Sequence, residues 1–214
     1  VYKRQQKDWG EVDGEPMDFS RQEDQVKATC WYIDELMKRF KQAKYKHLKL
    51  SGFYWLAEDI DFTKDLSVPL SKYIHSKNKT FCWIPYWQAK GYNQWRELGF
   101  DIAYQQPNHF FKASIPDKRL EEACQSAATL NMGMELEFDE RALKKNSQDY
   151  RADRLRDYLR AFDSYGIIKS FPIAYYQSDC MVYSLKSSIY EEDRALYNEL
   201  CTMISKRQKA RGEK

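Results

Sequence analysis

Met132-Gly133-Met134-Glu135-Leu136-Glu137-Phe138 alternates large apolar side chains with a glycine and two acids. In an extended chain successive side chains point to opposite faces, so Met132, Met134, Leu136 and Phe138 share one face and Gly133, Glu135 and Glu137 the other. Helices can cover the apolar face. The acidic face borders a polar interior that narrows at the glycine, which suits a barrel wall better than a sheet buried on both sides. Acids at the end of such a strand stand over the place where parallel α/β folds bind ligands, whereas acids inside it must be desolvated.

Short apolar runs rich in aromatics recur on either side of this stretch, and they predict strands at about 48–57, 81–87, 101–106, 132–138 and 170–177. Helices are predicted between them, from Leu66, Leu70, Tyr73 and Ile74, from Leu120, Ala123, Cys124 and Ala127, and from Leu155, Tyr158, Leu159 and Phe162, the last ended by Gly166. A weaker helical piece falls around Gln94 to Leu98. Val26, Cys30, Ile33, Met37 and Phe40 recur at helical spacing after Ser20-Arg21-Gln22-Glu23, which has the form of a capping box. Ser188-Ile189-Tyr190-Glu191 repeats that form before a last helix through Leu196, Leu200 and Ile204, and the basic tail from Lys206 reads as a frayed, solvated end. The segment Lys3 to Phe19 reads as a turn-rich loop.

Alternating strands and helices predict a parallel sheet with right-handed crossovers. Two architectures fit, an open doubly wound sheet and a (β/α)8 TIM-type barrel. The two-faced strand at 132–138 favours the barrel, of which five strands would be the later part, about strands 4 to 8. The 214 residues are then one domain, 1–214, lacking N-terminal strands that an N-terminal segment of the same protein would supply.

Composition narrows the function. With 35 basic and 32 acidic residues the net charge is +3, which points to neither nucleic acid nor an acidic membrane surface. No run reaches the roughly 18 apolar residues of a membrane span, and Val1-Tyr2-Lys3-Arg4 is no signal peptide. The five cysteines are scattered without CxxC spacing, and His47, His75 and His109 lack metal spacing, so no metal is expected. Phosphate-loop, dinucleotide and serine-elbow fingerprints are absent, and no cofactor is expected.

The runs Gly52-Phe53-Tyr54-Trp55 through Glu58, Trp83-Ile84-Pro85-Tyr86-Trp87, Ala103-Tyr104-Gln105-Gln106-Pro107-Asn108, Met134-Glu135-Leu136-Glu137-Phe138-Asp139 and Ile173-Ala174-Tyr175-Tyr176-Gln177 resemble an uncharacterised bacterial domain family related to barrel glycoside hydrolases. The resemblance extends from Trp9 to the last helix and favours an exported protein, periplasmic or at the cell surface, while the sequence itself leaves the compartment open. In the large clan of barrel glycosidases the acid/base ends the fourth strand and the nucleophile the seventh. If the first strand here is the fourth, Glu58 takes the first place and Glu137 or Glu135 the second, although Ala57-Glu58 replaces the clan's usual Asn-Glu pair.

Paired carboxylates are what glycosidic cleavage needs, one protonated to assist the leaving group and one ionised to attack or activate water. Glu137, nearer the strand end, is the expected nucleophile. Glu135, one layer deeper and expected to be the less hydrated, would need a fixed partner and orient its neighbour. A saccharide also needs flat rings and polar groups for its hydroxyls, and Tyr86, Trp87, Gln106, Asn108, Tyr176 and Gln177 lie at strand ends in the right places. Tyr92 and Trp95 are further possible platforms, whereas Trp55 and Trp83 read as core. Two functions follow, a retaining glycoside hydrolase acting on an oligo- or polysaccharide, and a non-catalytic glycan-binding barrel. The bland alternative holds beside both: Glu58 as a surface or helix-start acid, the two glutamates as a structural pair bonded to arginines or amides, and the polar groups as satisfied barrel-mouth residues.

Overall fold

The structure, a computed structural model, describes residues 8–61 and 63–212. It is an α/β fold of parallel strands flanked by helices, and all five predicted strands are present, each shorter than its apolar run. The chain divides into two compact units, Val1–Trp83 with Lys90–Ile102, and Ile84–Ala89 with Ala103–Lys214. Among the described residues no helix is long and apolar enough to cross a membrane.

The first unit opens with a hairpin of β1 (Asp8–Val12) and β2 (Glu15–Asp18). Asp13 and Gly14 form the two-residue turn at φ 54° and 80°, the left-handed pair whose twist matches that of the strands. This corrects the expected loop from Asp8 onward; Lys3 to Lys7 lie outside the described residues. Val12 and Met17 pack on Ala28 of α1 (Gln22–Gln42), with Phe19 against the cluster. The capping box at Ser20 does not form. Ser20 is drawn instead into the Asp18 turn, donating its amide to Oδ1 at 2.8 Å, and the helix starts one residue later than the box requires, without a side-chain cap. Next, β3 (Gly52–Trp55), α2 (Lys64–Ser76) and β4 (Thr80–Trp83) make a parallel crossover unit in the register Gly52↔Thr80. Gly52 is obligatory there, because a Cβ would lie 2.3 Å from the Thr80 carbonyl oxygen. Phe81 and Trp83 pack against Phe100 with ring centroids 4.6 and 5.1 Å apart. The weak helical piece is a short 3-10 turn, Tyr92–Gln94, after which Trp95 is buried rather than offered as a platform.

The second unit holds β5 (Ile102–Gln105) from Ala103 onward, β6 (Gly133–Glu137) and β7 (Ile173–Tyr176), all parallel, with Tyr104 opposite Gly133 and Glu137 opposite Tyr176. Helix α3 (Lys118–Leu130) buries Leu120, Ala123, Cys124 and Ala127 and ends at Asn131, which takes the left-handed cap at φ 52°. Burial pushes the Cys124 thiol up to about 12. Strand β6 (Gly133–Glu137) is buried at every residue. A Cβ on Gly133 would stand 2.6 Å from both the Pro172 carbonyl oxygen and the Tyr104 ring, so the narrowing read from the sequence is an aromatic ring lying over a glycine. Helix α4 (Ala152–Ser164) buries Leu155, Tyr158 and Phe162, and Gly166 follows at φ 72° as expected.

The sequence did not announce the short α5 (Ile167–Ser170), which precedes β7 (Ile173–Tyr176), or α6 (Met181–Ser187) before α7 (Glu191–Arg211). The capping box at Ser188 also fails to form. Ser188 Oγ donates to buried Asp193 at 2.6 Å, and that carboxylate accepts the Lys144 amide at 2.8 Å, tying the start of α7 to the loop after β6. The basic tail is not frayed up to Arg211. It stays helical because Lys206 pairs with Asp163 and Arg207 donates to the carbonyls of Ile168 and Phe171, at 3.0 and 2.7 Å, which α5 leaves open.

Candidate functional site

Strand β6 carries Glu137 to its last position, where the side chain is 1% exposed. Two donors converge on Oε2: the Asn108 backbone amide at 2.8 Å and the Tyr158 hydroxyl at 2.7 Å. The Asn108 side-chain amide lies 3.4 Å from Oε1. An anionic carboxylate suits such a set, since hydrogen bonds to the charged form stabilise it. Tyr158 is itself fully buried and accepts the His109 amide at 3.2 Å. Burial first, and then the neighbouring Glu137 charge, hold its phenol well above the ordinary range, so it serves as a proton donor in the bond to Glu137.

Asn108 is the hinge of the arrangement. It sits at φ 50°, a left-handed conformation that asparagine tolerates better than most residues, and this turns its backbone N–H toward Glu137. Its side chain accepts the Trp87 amide at 3.1 Å and donates to Gln106 Oε1 at 3.1 Å. Gln106 in turn donates to the Ile84 carbonyl at 3.1 Å. The same asparagine lines a cleft of about 480 Å³ with Tyr86, Trp87, Phe111, Lys112, Ile115 and Arg119. The Arg119 guanidinium lies 5.3 Å from the Trp87 ring centroid and donates to the Pro107 carbonyl at 3.3 Å.

The structure therefore gathers Tyr86, Trp87, Gln106, Asn108 and Glu137 into one connected set. Tyr176 stands beside them on the strand next to Glu137, exposed, its ring edge-on to Phe111 at 5.9 Å. Gln177 is committed elsewhere, its side-chain oxygen accepting the Val182 amide at 2.8 Å at the start of α6. Glu135 lies two residues back from Glu137 on β6, opposite Ala174, and is 7% exposed against 1% for Glu137. The expected order of hydration is thus reversed, because Tyr158 and Asn108 close over Glu137 at the strand end. Glu58 belongs to the first unit, exposed in the loop three residues beyond the end of β3.

Over residues 1–202 the sequence matches the family described as a domain of unknown function, DUF4855. The chain belongs to that family. No curated protein matches it.

Within this DUF4855 chain, several site residues escape a reading of the sequence alone. The loop after β5 is held by four arginines: Arg119 on the Pro107 carbonyl, Arg154 on those of His109 and Ile115, Arg151 on Phe110 at 2.9 Å and Arg141 on Phe111 at 3.1 Å. Arg141 is fixed by Asp139, two residues past the end of β6, and that pairing is the first cause of its raised pKa. Arg141, Arg151 and Arg154 follow within seventeen residues of Glu137, and their density was the available signal.

One other polar cluster lies nearby. Ligand atoms of His109, Asp117 and Asp157 fall within 4.8 Å of one another. His109 Nε2 is 2.9 Å from Asp117, and burial pushes the imidazole pKa down more strongly than this partner raises it. Arg154 donates to the His109 and Ile115 carbonyls beside this cluster and its charge acts on both acids, and we assign no metal to the cluster. A separate concavity of about 370 Å³, in the first unit, is walled by Ile33, Phe53, Trp55, Leu70, Ile74 and Phe81 and has no carboxylate, histidine or cysteine in its lining.

Proposed function

We propose that this domain binds a carbohydrate in the cleft beside Asn108 and acts on it as a glycoside hydrolase of the retaining type, with Glu137 as the ionised carboxylate. The observation that carries the reading is Asn108 itself, a residue that lines the cleft and also supplies the donors that hold Glu137. A nucleophilic carboxylate has to be charged and fixed in orientation before the sugar arrives, and two donors on one oxygen do both. Tyr86 and Trp87 provide the ring faces that sugars stack on, and Gln106, Asn108 and Tyr176 the hydroxyl partners. Glu58, the acid/base expected from the sequence, is exposed in its own unit, where solvent contact allows proton exchange with water. Under this reading the parallel strands β3 to β7 occupy the fourth to eighth places of an eight-stranded barrel. Support for that comes from β3 and β7, each of which pairs with a single neighbour among the described residues while exposing Tyr54 or Tyr175.

The rival reading has its own support. Glu137 is almost wholly buried and bonded to the scaffold, as a structural carboxylate would be, which favours a glycan-binding domain without turnover. Incubating wild type, Glu137→Gln and Glu58→Gln with a broad panel of polysaccharides and aryl glycosides separates the two. Cleavage lost by several orders of magnitude in both variants supports the hydrolase. Binding without cleavage by wild type supports the binding domain, and neither binding nor cleavage refutes the carbohydrate reading altogether.

A further inference from the structure

The cleft beside Asn108 is charged on one side only. Of its lining residues Lys112 and Arg119 are cations and none is an acid. Cations close by in the chain are paired: Lys118 with Glu122 at 3.1 Å, Arg141 with Asp139, and Arg151 with Asp149 at 2.6 Å. Lys112 and Arg119 take part in no ion pair among the described residues. Asp117, the acid between them in sequence, is turned to the His109 ring at 2.9 Å. Glu137 is not among the lining residues, and its carboxylate accepts hydrogen bonds from Tyr158 and Asn108.

The two cations differ in kind. Lys112 is exposed and reaches solvent, whereas Arg119 is half-buried, set against the Trp87 ring and fixed to the Pro107 carbonyl. A guanidinium immobilised in this way presents its remaining N–H groups in a planar fork with little entropy left to lose on binding. Two uncompensated positive charges in a concave wall raise the local concentration of anions, and no acid in the lining works against them. A neutral sugar would leave both charges unpaired.

Resting on the reading of this cleft as a saccharide site, we propose that its ligand is an anionic saccharide, with a uronate carboxylate or sulfate ester held by Arg119 and Lys112 and the adjoining ring against Tyr86 and Trp87. Charge-assisted hydrogen bonds of this type favour the charged sugar by about 10- to 100-fold over the same sugar without its charge.

The test uses matched pairs of oligosaccharides on the intact chain: glucuronate- and galacturonate-containing chains with their carboxyl-reduced forms, and sulfated chains with their desulfated forms. Binding is followed by calorimetry at low and moderate salt. Wild type is expected to prefer the charged member of at least one pair by about 10-fold or more, less so as salt rises. Lys112→Gln/Arg119→Gln should lose that preference, and Arg119→Lys should keep part of it. Melting curves check that each variant is folded, and Lys112→Gln alone, at an exposed position, tests the idea if Arg119→Gln loosens the loop. A preference confined to the uronate arm or to the sulfate arm identifies the anion. Equal affinity for both members of every pair overturns this proposal and leaves the saccharide reading standing. Absence of binding in every pair overturns both, and a preference that survives in the folded double variant overturns the assignment to Lys112 and Arg119.

Discussion

Replacing Tyr158 with phenylalanine removes one oxygen from the centre of the second unit and tests whether Glu137 is held as described. The hydroxyl makes two buried bonds, donating to Glu137 Oε2 at 2.7 Å and accepting the His109 amide at 3.2 Å. The ring stays, so packing against Phe162 and His109 is unchanged. Loss of the bond to a charged acceptor costs about 1.5–3 kcal/mol, and the stranded His109 amide adds roughly 1–3 kcal/mol, because no water reaches it at 0% exposure. The expected loss is therefore about 4 kcal/mol, or about 8–16 °C in melting temperature for a chain of this size. Tyr150→Phe is the control: its hydroxyl is buried with no hydrogen-bond partner, so its removal should leave stability within about 0.5 kcal/mol or raise it slightly. Urea unfolding at pH 7 measures both. A cycle with Glu137→Gln should give a coupling above roughly 1 kcal/mol, since the two residues share one bond. If Tyr158→Phe unfolds with wild type, or if the two changes simply add, Tyr158 does not hold the carboxylate and the site reading loses its anchor.

Two further outcomes follow from the same unit. Gly133→Ala places a methyl 2.6 Å from the Pro172 carbonyl oxygen, which belongs to the backbone and cannot turn aside, so β6 and β7 must separate; a loss of about 3 kcal/mol or more is expected in thermal melts, and a wild-type melt would refute the close approach. His109 has its pKa lowered by burial, against an unfolded value of about 6.5, so the unfolded chain takes up a proton that the folded chain refuses as pH falls below that value. Stability should therefore decline from pH 7 toward pH 5, and His109→Gln should flatten that slope when melting curves at the two pH values are compared; an unchanged slope would remove His109 as its source.

The elements that were legible in the sequence are those whose signal is local. Strand β6 announced itself through alternation, α3 and α4 through their apolar stripes, and Gly166 through its place after the last buried residue of α4. What was misread also has local causes. Both capping boxes matched the pattern, yet Ser20 and Ser188 found aspartates, Asp18 and Asp193, that satisfied them first. Asp13-Gly14 is a hairpin turn, but the strands on either side are mostly exposed, so they lack the apolar alternation that would have named them. The tail from Lys206 carries the composition of a solvated end, and only the open carbonyls of α5 turn its arginine into a cap.

The site divides along the same line. Glu137 was singled out because strand ends in parallel α/β folds are where chemistry gathers. Its environment could not be read, because Asn108 lies 29 residues before it and Tyr158 21 residues after, and each carried a different label: Asn108 a hydroxyl partner for sugar, Tyr158 one apolar position in a helix stripe. The stripe was right about burial and silent about the hydroxyl. A tyrosine where a helix buries only apolar neighbours needs an acceptor inside the core, and the acid at the end of the adjacent strand is the group whose burial needs a donor. Each buried polar group is therefore a constraint on the other, and together they account for a Glu137 that is buried at the strand end rather than solvated.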